Sequence, residues 1–322
     1  MKILVVQNKM GIGDMVIYLP FIDAISKKFN TPVSILVKQS SKAEQFLNDS
    51  KIIEKIIILE QGNKLKNAKH QGFKGFLNLA KELQEHNFDK IFIFNSSLRF
   101  NLIARFAGIK DIHQYPLFTK KNQHIMIAAK KLLNKDLNLD VENDPKISVN
   151  EKSVLEAKSK YKINNNDKKN ILLGLGGSGP TKRIPARTFI ELIRLISNVH
   201  ECKFFLATGK NKEEQEILKE ILNTEFKDKC IPLDHLNIYE TLPIIKNCDI
   251  SICNDSSFSH LSSGLGIKTI ILMADTPLLY GNYSTQMYPI IPDGESTVSH
   301  DTLGKDKINP NKIFEQFKKI LD

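Results

Sequence analysis

From Asp249 to Cys253 the chain is an apolar run, and from Thr269 to Met273 it is apolar again. Between them lies Asn254-Asp255-Ser256-Ser257-Phe258-Ser259-His260-Leu261-Ser262-Ser263-Gly264-Leu265-Gly266-Ile267, a cluster of small hydroxyl residues passing into a short helical pattern. Two buried strands joined by a polar turn and a helix form the repeating unit of a parallel α/β sheet. In such sheets ligands bind where the carboxyl end of a strand meets the next helix. The first amides of that helix have no partner inside it, and the helix dipole favours an anion there. Asp255, Ser256 and Ser257 are thus either helix caps or the residues that hold a phosphorylated ligand.

The same grammar extends over both halves of the chain. In the first half, Lys2 to Gln7, Val33 to Val37, Ile56 to Leu59 and Lys90 to Asn95 read as strands. Helical patterns cover Met15 to Phe29, Ser41 to Asn48, Phe73 to His86 and Ser97 to Ala107. A polar interval from Asp140 to Asn170 contains Asp144-Pro145 and the run Asn164-Asn165-Asn166-Asp167, and it marks the interdomain connection, with a helix at Ser153 to Lys160. In the second half, Ile171 to Leu175, Lys203 to Ala207 and Asp249 to Cys253 read as strands. Pro185 to Ser197, Lys212 to Leu222 and Ile238 to Lys246 read as helices. The expected division is residues 1–165, residues 166–306 and a final amphipathic helix within 307–322 that returns to the first domain. Such alternation argues parallel sheets covered on both faces.

At 322 residues, 41% hydrophobic and 25% charged, the chain has room for two cores and does not read as disordered. The apolar run at the amino terminus is too short for a signal peptide, and no later run approaches a membrane span, so a cytoplasmic protein is expected. The four cysteines, at 202, 230, 248 and 253, match no zinc or disulfide framework. No metal site is expected, and no Asp-x-Asp pair exists to hold a metal-bound sugar diphosphate. The net charge of +10 suits an anionic ligand, an anionic membrane surface or nucleic acid. Its lysines are scattered (Lys64, Lys66, Lys69, Lys120, Lys121, Lys130, Lys131 and Lys135 among them) and accompany no nucleic-acid module. Nucleic acid is therefore not an expected partner.

Three strand-end loops carry the chemistry. The first, Lys9-Met10-Gly11-Ile12-Gly13-Asp14-Met15, has two glycines but no third near Val16, which argues against a dinucleotide. Asp14 there is either a helix cap or a general base. The second, Leu175-Gly176-Gly177-Ser178-Gly179-Pro180-Thr181-Lys182-Arg183-Ile184-Pro185, offers free backbone, hydroxyls and paired cations to phosphate oxygens. It lacks the Walker A order. The third is the segment that begins at Asn254. A weaker fourth, Gly209-Lys210-Asn211-Lys212-Glu213-Glu214, brings carboxylates that either reach ribose hydroxyls or stabilise the first turn of a helix.

Together, Gly-x-Gly-Asp at 11–14, Gly-Gly-Ser-Gly-Pro-Thr-Lys-Arg-x-Pro at 176–185 and Asn-Asp-Ser-x-x-x-His-Leu-Ser-Ser-Gly-Leu-Gly at 254–266 resemble the ADP-heptose:lipopolysaccharide heptosyltransferases, glycosyltransferase family nine. The resemblance runs in order through both halves. It implies an α/β fold of the GT-B kind, two Rossmann-like doubly wound domains facing each other across a cleft, with the acceptor on the first and the nucleotide sugar on the second. It implies inverting, metal-independent transfer of heptose from ADP-heptose to a lipopolysaccharide core precursor, with no cofactor besides the donor. The resemblance also implies a lipid-anchored acceptor, and together with the charge this leads us to expect a protein peripheral on the inner face of the inner membrane.

Carried over by position, Asp14 matches the catalytic base and Lys182 the cation at the donor phosphates. Asp255, Ser256, Ser257 and His260 match the donor-binding turn, and Glu213 or Glu214 the ribose contact. Gly13, Gly177, Ser178, Thr181 and Arg183 complete the expected donor site. Two departures border it: Ser257 stands where the family usually has glycine, and Met273-Ala274-Asp275-Thr276-Pro277 replaces a Phe-Gly-Pro-Thr-like run. Another nucleotide sugar serving a different surface glycan, or a binding module without turnover, are the alternatives.

Overall fold

The computed structural model describes residues 1–62, 68–117, 124–163 and 168–321. The run Asn164 to Asp167 and the lysines Lys64, Lys66, Lys120 and Lys121 lie outside them. The chain divides into two compact units, Met1–Ser148 and Val149–Asp322.

The first unit is a five-stranded parallel sheet of β1 (Ile3–Gln7), β2 (Val33–Lys38), β3 (Ile53–Leu59), β4 (Lys90–Ile93) and β5 (Asp111–Gln114), in the order β3-β2-β1-β4-β5. Strands β1 and β2 are apolar and almost wholly buried, the pattern of a sheet covered on both faces. Helices α2 (Gly72–His86) and α3 (Leu98–Phe106) cover one face, where Phe76, Leu79, Leu83, Phe100 and Ile103 pack on Leu4, Val6, Leu36 and Ile57. Helices α1 (Ile12–Phe29) and α4 (Ile125–Leu137) pack together, away from that cluster. Three of these helices stop on an asparagine in the left-handed conformation, Asn30, Asn87 and Asn138, where the short polar side chain tolerates positive φ. Ser41 to Asn48 is not a helix: Lys42 turns left-handed at φ 49° and separates two short 3₁₀ turns, Gln39–Ser41 and Ala43–Gln45.

The second unit is a six-stranded parallel sheet of β6 (Lys169–Gly174), β7 (Cys202–Ala207), β8 (Cys230–Pro232), β9 (Ile250–Asn254), β10 (Thr269–Leu272) and β11 (Met287–Ile290), ordered β11-β10-β9-β6-β7-β8. On one face lie α6 (Ala186–Ser197), α7 (Lys212–Leu222) and α10 (Pro310–Leu321). Helices α5 (Glu151–Lys160), α8 (Ile238–Lys246) and α9 (Ser257–Gly264) pack in succession elsewhere on the sheet, with Tyr161 edge-on to Phe205. Helix α8 starts in a capping box, Asn237 Oδ1 accepting from the Glu240 amide at 3.0 Å while Glu240 accepts from the Asn237 amide at 2.9 Å.

Two boundaries differ from the sequence-based division. The units part at Ser148/Val149 and not at 165, because α5 packs on α8 and the Lys203 ammonium donates to the Tyr161 and Lys162 carbonyls just beyond it. The final helix belongs to the second unit: α10 buries Ile313, Phe317 and Ile320 against α6, β10 and β11, each such side chain contributing about 1.5–3 kcal/mol.

Candidate active site

In the second unit the strand order reverses between β6, which leads outward to β7 and β8, and β9 on its other side. At such a switch point the two strand-end loops diverge and leave a crevice for a ligand. The loops that follow β6 and β9 are the second and third of those singled out from sequence, and the structure joins them. The Lys182 ammonium donates to Asp255 Oδ2 at 2.8 Å. Asn254, the last residue of β9, donates its amide to the Leu175 carbonyl at 2.8 Å. Asp255 is buried, which alone would raise its pKa, but the charges of Lys182 and His260 and the hydroxyl of Thr276 outweigh that and hold it below the ordinary carboxylate range. It is therefore ionised at neutral pH.

Ser256 is the N-cap of α9 and Ser257 its first residue, but the Ser256 side chain makes no cap bond and its buried Oγ has no hydrogen-bond partner. A simple cap would use that hydroxyl. His260 is buried one turn on, with Nδ1 2.9 Å from the Tyr283 hydroxyl and Nε2 4.0 Å from Asp255 Oδ1. The two rings stack with centroids 5.7 Å apart. Thus the third loop is backed by the Tyr283–His260 hydrogen bond and the Lys182–Asp255 ion pair, with His260 and Asp255 4.0 Å apart between them.

The carboxylates of the fourth loop have separate duties. Asn211 caps α7 by accepting from the Glu214 amide at 2.9 Å. Buried Glu214 accepts from the amides of Gly177 at 3.2 Å and Gly209 at 2.5 Å and from the Thr208 hydroxyl at 3.2 Å. It ties the β6 and β7 loops together. A Cβ at Gly176 or Gly209 would come within 2.9 or 2.6 Å of Glu214 Oε2, so glycine is needed there for closeness, not for φ. Glu213 is exposed and pairs with Arg183, whose Nε also donates to the Gly177 carbonyl at 3.1 Å. Ser178 is exposed, while Thr181, Lys182 and Arg183 are half-buried.

The departures at 273–277 also have a structural use. Asp275 accepts from the Leu303 amide at 2.9 Å, and the Ala274 carbonyl accepts from Gly304 at 3.0 Å. Burial opposes ionisation of Asp275, but the Leu303 amide and the Thr181 hydroxyl lower its pKa on balance. Thr276, Asp275 and Tyr283 were not among the residues expected at the site. Asp275 and Thr276 lie in a run that sequence marks only as a departure, and Tyr283 stands in an irregular segment with no periodic signal.

In the first unit the order reverses between β1 and β4, and Asp14 lies in the loop and first turn after β1. It is the third residue of α1, half-buried, and it accepts from the Gly11 amide at 3.2 Å. Gly13 is the residue before it in that first turn. Burial lowers the pKa of His124, the N-cap of α4, while the charge of Asp14 acts to raise it. A cavity of about 450 Å³ lies at the same strand ends, lined by Tyr18, Phe94, Asn95, Gln114, Tyr115 and Lys131 among others. The Asn95 amide nitrogen there is buried without a partner. Among the described residues, no group of three His, Cys, Asp or Glu side chains is placed to hold a metal ion. All four cysteines are buried free thiols, and burial pushes Cys253 up to about 12.

The family model for glycosyltransferase family 9 (heptosyltransferase) matches residues 76–290. This chain belongs to glycosyltransferase family 9. It is a glycosyltransferase. Lipopolysaccharide heptosyltransferase 1 of Campylobacter coli is 25% identical over 345 residues, covering 98% of this chain and 96% of its own. Lipooligosaccharide heptosyltransferase 2 of Campylobacter jejuni is 27% identical over 331 residues, covering 96% of each. The fold is that of solved family 9 structures. E. coli ADP-heptose lipopolysaccharide heptosyltransferase II superposes with a TM-score of 0.75 at 19% identity, over 100% of this chain and 98% of that one. An E. coli heptosyltransferase solved with ADP gives 0.71 at 14% identity, over 99% and 100%.

Proposed function

We propose that this family 9 enzyme transfers heptose from ADP-heptose to a lipopolysaccharide core precursor, with inversion at the anomeric carbon and without a metal. The observation that carries the donor half is the Lys182–Asp255 pair. It sets one ammonium between the β6 loop and the start of α9, where a diphosphate would meet a cation, the freed backbone near Gly177 and the first amides of α9. Ser178, Thr181 and Arg183 complete that surround, Ser256 offers its unpartnered hydroxyl, and Glu213 is the carboxylate exposed enough to reach a ribose.

The acceptor half rests on the first unit. A glycan would enter the cavity beside Asn95 and Tyr115, and Asp14 would take the proton from its attacking hydroxyl. Lys182 and the α9 amides would receive the charge that develops on the departing diphosphate. The acceptor is proposed to be lipid-anchored and the enzyme peripheral on an anionic membrane surface at the cytoplasmic side, a reading supported by the net charge of +10. Ser257 and the Asp275 segment favour one second reading, the same chemistry with another nucleotide sugar.

A thermal-shift panel of ADP, UDP, GDP, CDP and their sugar conjugates tests the donor. A ligand that binds only the folded chain at a hundred times its Kd stabilises by about 2.7 kcal/mol. ADP and ADP-heptose should raise the melting temperature, and Lys182→Ala should abolish most of that rise. Selective stabilisation by UDP conjugates would overturn ADP-heptose as donor, and an unchanged ADP response in Lys182→Ala would overturn the phosphate site.

A further inference from the structure

The outer surfaces of α2 and α3 expose apolar side chains in excess of what the core uses. Phe73 is 78% exposed, Phe106 63%, Leu77 45% and Leu102 39%. Phe73 and Leu77 are spaced i, i+4 on α2, and Leu98, Leu102 and Phe106 repeat that spacing on α3, so each helix carries an outward stripe besides its buried one. The helices lie side by side, and rings connect the stripes. Phe76 stacks with Phe73 at 6.3 Å between centroids and meets Phe106 edge-on at 5.3 Å. Of the thirteen large apolar side chains exposed among the described residues, five are on these two helices, so the exposure is a patch and not scatter.

Its border is basic. Lys74, Lys81, Arg105 and Lys110 are exposed around it. Of the neighbouring acids, Glu82 is engaged by Lys69 at 2.5 Å and by His70 at 3.2 Å, and exposed Glu85 lies one turn beyond Lys81, so the cations outnumber the free acids around the patch. Aromatic and leucine side chains ringed by Lys and Arg suit an anionic lipid interface, where the apolar groups enter the headgroup–acyl boundary and the long cationic stems reach phosphates. A second copy of the chain fits less well, because a two-fold interface would set these cations against one another. Among the described residues no helix is long and apolar enough to cross a membrane, so this would be contact at the interface.

We propose that the α2–α3 face of the first unit is a membrane-docking surface that inserts Phe73, Leu77, Leu102 and Phe106 into an anionic bilayer, with Lys74, Lys81 and Arg105 on its phosphates. This rests on the peripheral-membrane part of the proposed function and assigns the residues that perform it. The chain contains no tryptophan, so Phe73→Trp creates a single indole reporter. With vesicles of phosphatidylcholine and phosphatidylglycerol whose acyl chains are brominated, Trp fluorescence from Phe73→Trp should be quenched, and that from Val199→Trp, exposed in the second unit, should not. Phe73→Ser/Phe106→Ser should lower vesicle cosedimentation about tenfold with an unchanged melting temperature. Lys74→Glu/Lys81→Glu should weaken binding and flatten its decline with salt. Vesicle binding without quenching, and unaffected by the double serine variant, would overturn this face while leaving peripheral binding intact. No binding at any salt would overturn both. Self-association abolished by the double serine variant would show a dimer interface and overturn the lipid assignment.

Discussion

Asp14→Asn should lower turnover by about two to four orders of magnitude, the span for removing a general base. A sugar hydroxyl is a weak nucleophile, and its proton must leave as the bond to the anomeric carbon forms. The same variant should leave folding nearly unchanged, for a local reason. Asp14 accepts from the Gly11 amide with one carboxylate oxygen, and asparagine keeps an oxygen for that bond. Loss of a helix-terminal contact costs about 0.5–2 kcal/mol of stability, which leaves the chain folded, whereas a thousandfold loss of rate is about 4 kcal/mol of barrier. ADP affinity should also hold, since the proposed donor site lies in the second unit. Initial rates, melting temperature and ADP titration on one preparation check all three. Wild-type turnover in Asp14→Asn would make Asp14 only the closing residue of the first turn.

Glu214→Ala should be the largest single loss of stability at the site, about 3–5 kcal/mol, the range for breaking a buried, hydrogen-bonded charge. Its removal strands the Gly177 and Gly209 amides and the Thr208 hydroxyl together, and takes a carboxylate from within 3.5 Å of Arg183. Glu214→Gln should recover only part, because its amide nitrogen would face donors. Urea unfolding measures the loss, and ADP affinity should fall with it, since the β6 and β7 loops lose their tie. A change under about 1 kcal/mol would mean that those groups find other partners.

The buried strands were legible because a parallel sheet covered on both faces demands continuous apolar runs, as in Ile3-Leu4-Val5-Val6 and Ile250-Ser251-Ile252-Cys253. The strands without such a signal, β5, β8 and β11, lie at the sheet edges, where that demand lapses. Strand β5 is Asp-Ile-His-Gln and half exposed, β8 is three residues long, and β11 carries Pro289. Helix α4, Ile125–Leu137, is likewise absent from the sequence-based assignment. The glycine and hydroxyl loops could be located because their composition is itself the signal. What they do to each other could not be read. Lys182 and Asp255 are 73 residues apart, Gly177 and Glu214 37, and His260 and Tyr283 23. Only the strand order brings them together. Glu214 shows the consequence: from sequence it is a first-turn acid or a ribose ligand, and in the fold it is the tie between two loops.

Transfer itself is the direct test of the proposed function. The purified enzyme, incubated with ADP-heptose and a lipopolysaccharide precursor lacking heptose, should add one heptose per acceptor for each ADP released. The new linkage should carry the anomeric configuration opposite to the donor's, and a chelator should not slow the reaction. Mass spectrometry of the acceptor with NMR of the linkage reads all of this at once. An acceptor of unchanged mass under conditions where ADP-heptose binds, or a product of retained configuration, would contradict it.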